Sequence, residues 1–198
     1  MQDTREGTIF IVDISGYSGF IKEIDHFNGM AIISRLFNGI IDENHLGFKI
    51  SEIEGDAILF YSFGNPVSVI RILTQFKKML SRFQQELQKL VHKFPILTTL
   101  SLKAIVHYGD MEEFAVNRFD KLYGKTLVDA HRLLKNSIPL QTYVLITQQY
   151  FTQTLPSGEG HSFSCGLSQC EIYDIGNLCY TYFSFESDHQ LKELDYVC

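Results

Sequence analysis

Apolar positions recur along this chain with two different periods, and the points where one gives way to the other mark out its elements. Thr8 to Val12 is a β-branched and aromatic run that Ser15 and Gly16 end too soon for a helix, so it reads as a buried strand closing on Asp13. Ser15 to Ile24 then reads as a short helix. Gly29 to Ile41 reads as a second, with Met30, Ile33, Leu36, Phe37, Ile40 and Ile41 as a core stripe at helical spacing. Phe48 to Ile53 and Ala57 to Phe63 are expected strands, joined by Glu54-Gly55-Asp56, which supplies the Gly and Asp a tight hairpin wants. Asn65-Pro66 has the form of a helix start, and Ile70, Leu73, Phe76, Leu80, Phe83, Leu87 and Val91 carry the longest stripe onward from it. Thr98 to His107 and Met111 to Val116 are expected as a strand pair turning at Tyr108-Gly109-Asp110. Gly124 opens a helix running to about Asn136. Thr142 to Ile146, Glu171 to Asp174 and Leu178 to Phe185 complete the strands, the last two after a loop at Pro156-Ser157-Gly158-Glu159-Gly160.

The resulting order is α+β: antiparallel hairpins separated by helices that must cover a face of the sheet, which fits a ferredoxin-like core. A length of 198 residues with no repeat or linker suits one domain spanning the whole chain, residues 1–198. With 45% hydrophobic and 20% charged residues, and no apolar run approaching the roughly 20 residues that span a bilayer, a soluble protein without a membrane segment is expected. The polar start Met1-Gln2-Asp3-Thr4-Arg5-Glu6 passes straight into a strand with no visible leader, which implies a cytoplasmic location. A net charge of −6 and the lack of a basic stripe argue against a nucleic-acid partner. Cys165, Cys170, Cys179 and Cys198 match no zinc spacing, even with His161 nearby, and read as reduced thiols.

Two aspartates change the picture. Asp13 ends the strand Ile9-Phe10-Ile11-Val12, and Asp56 sits in the Gly-containing turn after Glu52-Ile53-Glu54. Taken alone, Asp13 is equally a helix cap and Asp56 a turn residue. Taken together, two carboxylates at the ends of apolar strands are costly to desolvate unpaired and suggest a divalent cation. Carboxylates, a backbone carbonyl and phosphate oxygens are the ligands Mg²⁺ prefers, and two metals about 3.5–4 Å apart are a known arrangement for displacement at phosphorus.

Four blocks in order, Ile9 to Tyr17, Glu54-Gly55-Asp56-Ala57-Ile58, Ala104-Ile105-Val106-His107-Tyr108-Gly109 and Gly124 through Arg132, resemble the class III nucleotidyl (adenylyl/guanylyl) cyclase homology domain over nearly the whole chain. Glu52 through Tyr61 and His131-Arg132-Leu133-Leu134-Lys135-Asn136 are similar to an uncharacterised bacterial group within that superfamily, a domain of unknown function. The resemblance implies a homodimer that takes a nucleoside triphosphate and two Mg²⁺ or Mn²⁺ ions per site. It implies metal ligands at Asp13, the Ile14 carbonyl and Asp56, and a phosphate cradle at Ser15, Gly16, Tyr17, Ser18, Gly19 and Phe20. A helix N-terminus suits anions independently, although this turn by itself is also an ordinary strand-to-helix connection.

By the same resemblance Glu52 and Lys121 fall at the base-reading positions. A carboxylate accepts from guanine N1–H and N2–H₂ and an ammonium donates to O6, so the pair favours GTP slightly over ATP. Both side chains read equally well as solvated charges, and a one-residue shift would bring Asp120 to the second position. Arg132 corresponds to the arginine that stabilises the transition state, whereas Val128 stands where the family has an Asn, and a phosphate-binding Lys has no counterpart around Ile175-Gly176. Loss of one oriented donor costs on the order of 10²–10³ in rate, so two functions stay open: a cyclase forming a 3′,5′-cyclic nucleotide, or a nucleotide-binding module with degenerate catalysis. Lys135 and Asn136 share the helical face of Arg132 and are read as an ordinary helix C-terminus or as replacements for the missing groups. His107 is expected as a hydrogen-bonded strand-end residue and His131 as a helix-surface group.

Overall fold

Residues 5–154 and 166–186 are described in the computed structural model of the chain. Its first strand, β1 (Arg5–Ser15), is buried from Gly7 through Ile14, as a strand covered on both faces must be. Alternate side chains feed two cores. Phe10, Val12 and Ile14 point to one, Ile9 and Ile11 to the other. The chain continues through α1 (Tyr17–Glu23), α2 (His26–Asp42), β2 (Lys49–Glu54), β3 (Ala57–Phe63), α3 (Val69–Gln88), β4 (Ser101–Val116), β5 (Phe119–Tyr123), α4 (Lys125–Leu133), β6 (Tyr143–Thr147), α5 (Gln148–Thr154), β7 (Leu167–Tyr173) and β8 (Gly176–Ser184).

The eight strands form one sheet in the order β2-β3-β1-β4-β6-β8-β7, with β5 paired to β4 off that path. All pairings are antiparallel except β4 with β6. Helices α2 and α3 close the first core through Ile32, Leu36, Ile40, Leu73, Phe76, Leu80 and Phe83. On the opposite face Ala130 and Leu133 of α4 cover Ile9, Ile11, Leu59 and Ile105. No helix among the described residues is long and apolar enough to cross a membrane.

Several expectations are corrected. The chain does not turn at Tyr108-Gly109-Asp110: β4 runs unbroken from Ser101 to Val116, and the hairpin comes at Asn117, whose φ of 56° provides the left-handed turn into β5. Gly109 is there for close approach, since a Cβ on it would lie 2.7 Å from Thr126 Oγ1 on α4. Residues before Ser101 form a 3₁₀ turn, Pro95–Thr99, rather than strand. Helix α3 starts at Val69 and not at Pro66, because Pro66 and Val67 stay outside the helix and the Val67 carbonyl accepts a hydrogen bond from the Tyr150 hydroxyl (2.6 Å). Ile70, in its first turn, is then 50% exposed.

Helix α2 starts a turn earlier than expected, its amide at Asn28 capped by Asp25, and the face it buries is Gly29, Ile32, Leu36, Gly39 and Ile40. Met30, assigned to the core from spacing, is 67% exposed, because this helix carries apolar residues on more than half its circumference and packing selected the face with the glycines. Cys170 and Cys179 are not reduced thiols. They stand directly opposite one another on β7 and β8 and form a disulfide. Cys165, Cys198, His161 and the loop Pro156 to Gly160 lie outside the described residues.

Candidate functional site

The hairpin β2–β3 turns on two residues, Gly55 (φ 59°) and Asp56, and this tight turn reaches across to β1, where the Ile14 amide donates to the Asp56 carbonyl (2.9 Å). The bond ties the Gly-Asp turn to the end of β1, beyond the last register pair Asp13–Ala57. Asp13 and Asp56 therefore come together, although Ile14 itself is 1% exposed. Asp13 is 8% exposed, and burial pushes its carboxyl above the usual range. The ammonium of Lys103, 3.4 Å from Asp13 Oδ1, opposes that shift, and the charge of Asp56 adds to it.

Lys103 lies across β4 from Asp13 and pairs in register with Tyr143 of β6. Burial raises the Tyr143 phenol to about 12, a hydrogen bond with Asn136 opposes this, and the charge of Asp13 contributes to it. A row of Asp56, Asp13, Lys103 and Tyr143 thus runs from the β2–β3 turn across β1 and β4 to β6. Lys103 went unrecognised in the sequence; the available signal was a lone Lys inside Leu102 to Val106, in phase with Ile105 and hence on the face of α4.

At the proposed phosphate turn Gly16 has φ 86°, and a Cβ there would lie 2.4 Å from the Thr99 carbonyl oxygen, so only glycine fits. Part of the Ser15 to Phe20 stretch is already engaged. The Ser15 hydroxyl donates to the Gln141 carbonyl (2.7 Å), and the Gly19 and Phe20 amides both donate to the Gly16 carbonyl (3.1 Å each). The Phe20 side chain is core. Tyr17 and Ser18 are the first residues of α1, where amides have no acceptor within the helix.

Glu52 and Lys121 are brought together, the Lys121 ammonium donating to Glu52 Oε2 at 2.8 Å. The register of β2 against β3 shifts between Ile50 and Glu52, which brings Glu52 opposite Leu59 and onto the face of β5 and α4. His131 Nε2 lies 3.8 Å from Glu52 Oε1, so it faces the same carboxylate. The hydrogen bond Lys121 donates to Glu52 and the charge of that carboxylate raise the Lys121 pKa. Beside the pair a cleft of about 400 Å³ opens between β2 and β5, lined by Lys49, Ser51, Tyr61, Glu113, Asp120 and Lys121.

Arg132 lies apart from the aspartate pair in its contacts: its guanidinium donates to Asp174 Oδ2 (2.7 Å) at the turn between β7 and β8. Val128, four residues before it on α4, is 45% exposed. Asn136 binds the Leu133 carbonyl (2.6 Å) and the Tyr143 hydroxyl (2.8 Å), which makes it the closing residue of α4. His107 is not at a strand end but buried within β4, its Nδ1 2.9 Å from Thr147 Oγ1 and its Nε2 3.5 Å from Asp129 Oδ2. Burial works to raise the Asp129 carboxyl, yet hydrogen bonds from His107 and Lys125 bring it below the usual range.

Among the described residues no group of three or more His, Cys, Asp or Glu side chains is placed to hold a metal. A cation at the aspartate pair would have two carboxylates and the Ile14 carbonyl, and would take its other ligands from water or phosphate. That donor set suits Mg²⁺ or Mn²⁺, which keep several non-protein ligands, better than Zn²⁺. The charge of Asp56 adds to the raised proton affinity of Asp13, and two carboxylates beside a single lysine leave negative charge for a cation to neutralise.

The fold is that of the class III adenylyl and guanylyl cyclase homology domains. The guanylyl cyclase Cya2 superposes with a TM-score of 0.71 at 17% identity, over 94% of this chain and 96% of that one. The adenylyl cyclase CyaB from P. aeruginosa gives 0.66 at 14% identity, over 94% and 97%. A bacterial light-regulated adenylyl cyclase gives 0.66 at 16% identity, over 98% of this chain and 56% of that one. In sequence, residues 33–143 match a family described as a protein of unknown function (DUF2652), and the chain belongs to that family. An uncharacterized protein of Mycobacterium tuberculosis, Rv2561/Rv2562, is 29% identical over 122 residues. The match covers 58% of this chain and 57% of that relative, so the chain spans little more than half of its length.

Proposed function

We propose that this chain is a cyclase-fold domain that binds a divalent metal–nucleoside triphosphate at the interface of a homodimer and converts it to a 3′,5′-cyclic nucleotide and pyrophosphate. The observation that carries the reading is the meeting of Asp13 and Asp56 at the end of β1, with Lys103 between Asp13 and Tyr143. Asp13, Asp56 and the Ile14 carbonyl would hold Mg²⁺ or Mn²⁺, two per site, which when bound neutralise phosphate charge and polarise the reacting oxygens.

The chain's own groups supply the rest. Lys103 exchanges Asp13 for a phosphate oxygen and so offers the cationic donor that no residue near Ile175-Gly176 provides. Amides of Tyr17 and Ser18 bind the outer phosphates. Glu52 and Lys121 read the base beside the cleft between β2 and β5, with GTP slightly preferred to ATP. Arg132 enters from the second protomer to stabilise charge on the α-phosphate; its separate setting beside Asp174 supports a role in trans. One sheet takes in all the strands of the described residues, which supports a single domain across residues 1–198; on this reading the domain acts in the cytoplasm.

A second reading, a nucleotide-binding regulatory module without turnover, is favoured by Val128 at the position of the expected Asn and by the engagement of Arg132 with Asp174. Incubation of the purified protein with Mn²⁺ and each of ATP, GTP, CTP and UTP, with products identified by mass, separates the two. A cyclic product supports the enzyme. Binding without product supports the module, and no binding of any nucleotide contradicts both.

A further inference from the structure

The hairpin of β7 and β8 holds Arg132, and the hairpin is itself closed by a disulfide. Asp174, at its turn, accepts from the Arg132 guanidinium (2.7 Å). Three residues earlier, Glu171 accepts from the amide (2.9 Å) and hydroxyl (2.7 Å) of Ser137, just past α4, and from the hydroxyls of Tyr173 (2.6 Å) and Tyr180. Burial would raise the Glu171 carboxyl, but these donors bring it down to about 2. Cys170 and Cys179 close the hairpin between this anchor and the body of the strands, directly opposite in register on β7 and β8, with β7 at the edge of the sheet among the described residues. Cys170 is exposed and Cys179 half-buried, so a reagent approaches the disulfide from the Cys170 side.

We infer that Cys170–Cys179 is a reversible thiol–disulfide site that sets whether Asp174 holds Arg132. An ion pair as exposed as Arg132 (41%) and Asp174 (62%) holds little by itself. It persists when the turn residues are already ordered, and the cross-link lowers that ordering cost by restricting the chain between the two cysteines. Reduction removes the restriction. A dithiol thiolate attacks Cys170 Sγ, the S–S bond breaks, and Cys179 leaves as a thiolate that takes up a proton. The second sulfur of the dithiol then displaces Cys170 as a thiol and closes the reagent's own disulfide. The dithiol thus gives up two electrons and two protons, and the protein gains two thiols. Resting on the trans role proposed for Arg132, the oxidised chain keeps this arginine in cis and the reduced chain releases it to the partner's site.

The test uses the native full-length chain without nucleotide. Alkylation with peptide mapping should leave Cys170 and Cys179 unmodified in air-oxidised protein and label both after treatment of the folded protein with dithiothreitol. Hydrogen exchange across residues 171–178 should then quicken about tenfold or more, with the end of α4 following. Labelling of Cys170 without reductant, resistance of the disulfide until the protein unfolds, or equal exchange in both states would each overturn the inference. Asp174→Asn in the oxidised protein should free Arg132 without reduction, read as reduced-like exchange at the end of α4; unchanged exchange there would overturn the clamp. Since none of these readouts needs nucleotide, failure to bind nucleotide in either state would count against the proposed function alone.

Discussion

Replacing Lys103 by Met tests how the site is held together before any cation arrives. Lys103 Nζ stands 3.4 Å from Asp13 Oδ1, with side chains 22% and 12% exposed. At an effective dielectric of about 20 the gross attraction is about 5 kcal/mol, most of it offset by the desolvation of both groups. Removing one partner of a buried pair costs about 3–5 kcal/mol, and the partial exposure of Lys103 brings the expected loss to the bottom of that range or just below it, about 2–3 kcal/mol at pH 8. The loss must depend on pH. Burial already places the folded-state pKa of Asp13 above its unfolded value, so ionised Asp13 opposes folding; the penalty is absent below the unfolded pKa and complete above the folded one. Without Lys103 the folded value rises further and the high-pH penalty grows, whereas protonated Asp13 costs little. Urea denaturation of parent and Lys103→Met should therefore differ most at about pH 8 and by less than half as much at about pH 4.5. Asp13→Asn combined with Lys103→Met should recover most of the loss, as expected of directly coupled residues. An effect equal at both pH values, or a double variant as unstable as the sum of the two, would refute this reasoning.

Gly109→Ala should destabilise the fold by about 1–3 kcal/mol in the same assay, because its Cβ meets Thr126 Oγ1 at 2.7 Å where α4 crosses β4. Glu52→Lys should narrow or reverse the preference for GTP over ATP in competition against a fluorescent analogue, a change of about 1–3 kcal/mol; equal affinities in the parent would leave Glu52 a solvated charge. Mixing Asp56→Ala with Arg132→Ala protein should restore part of the activity or nucleotide-induced stabilisation, since one hybrid site of a two-fold dimer is intact. A protein that stays monomeric in sedimentation with and without nucleotide would exclude that design.

The meeting of Asp13 and Asp56 was readable because it rests on local signals. Strand-end Asp13, the Gly55-Asp56 turn and the Gly16 turn each need a particular residue within a few positions, and the structure brings Asp13 and Asp56 together through the Ile14 amide. Long-range placement was not readable. Tyr108-Gly109-Asp110 carries turn residues, yet pairing with β1 and the approach of α4 keep the strand straight, so Gly109 serves packing. Lys103 gains its meaning from a neighbour on another strand, and Glu52 meets Lys121 through the register shift in β2 and the unforeseen β5. The cysteine pair became evident once the register of β7 and β8 set Cys170 opposite Cys179. Helix α2 offered two apolar faces, and contact with α3 chose between them.

Whether Asp13 and Asp56 together bind a metal–nucleotide complex is decided by calorimetric titration of the parent, Asp13→Ala and Asp56→Ala with GTP in the presence of Mn²⁺, each protein first shown to be folded by circular dichroism. The parent should bind, and each single substitution should abolish Mn²⁺-dependent binding, because either loss removes both charge neutralisation and a ligand from the same centre. A parent that binds no complex, or variants that bind as tightly as the parent, would contradict the site.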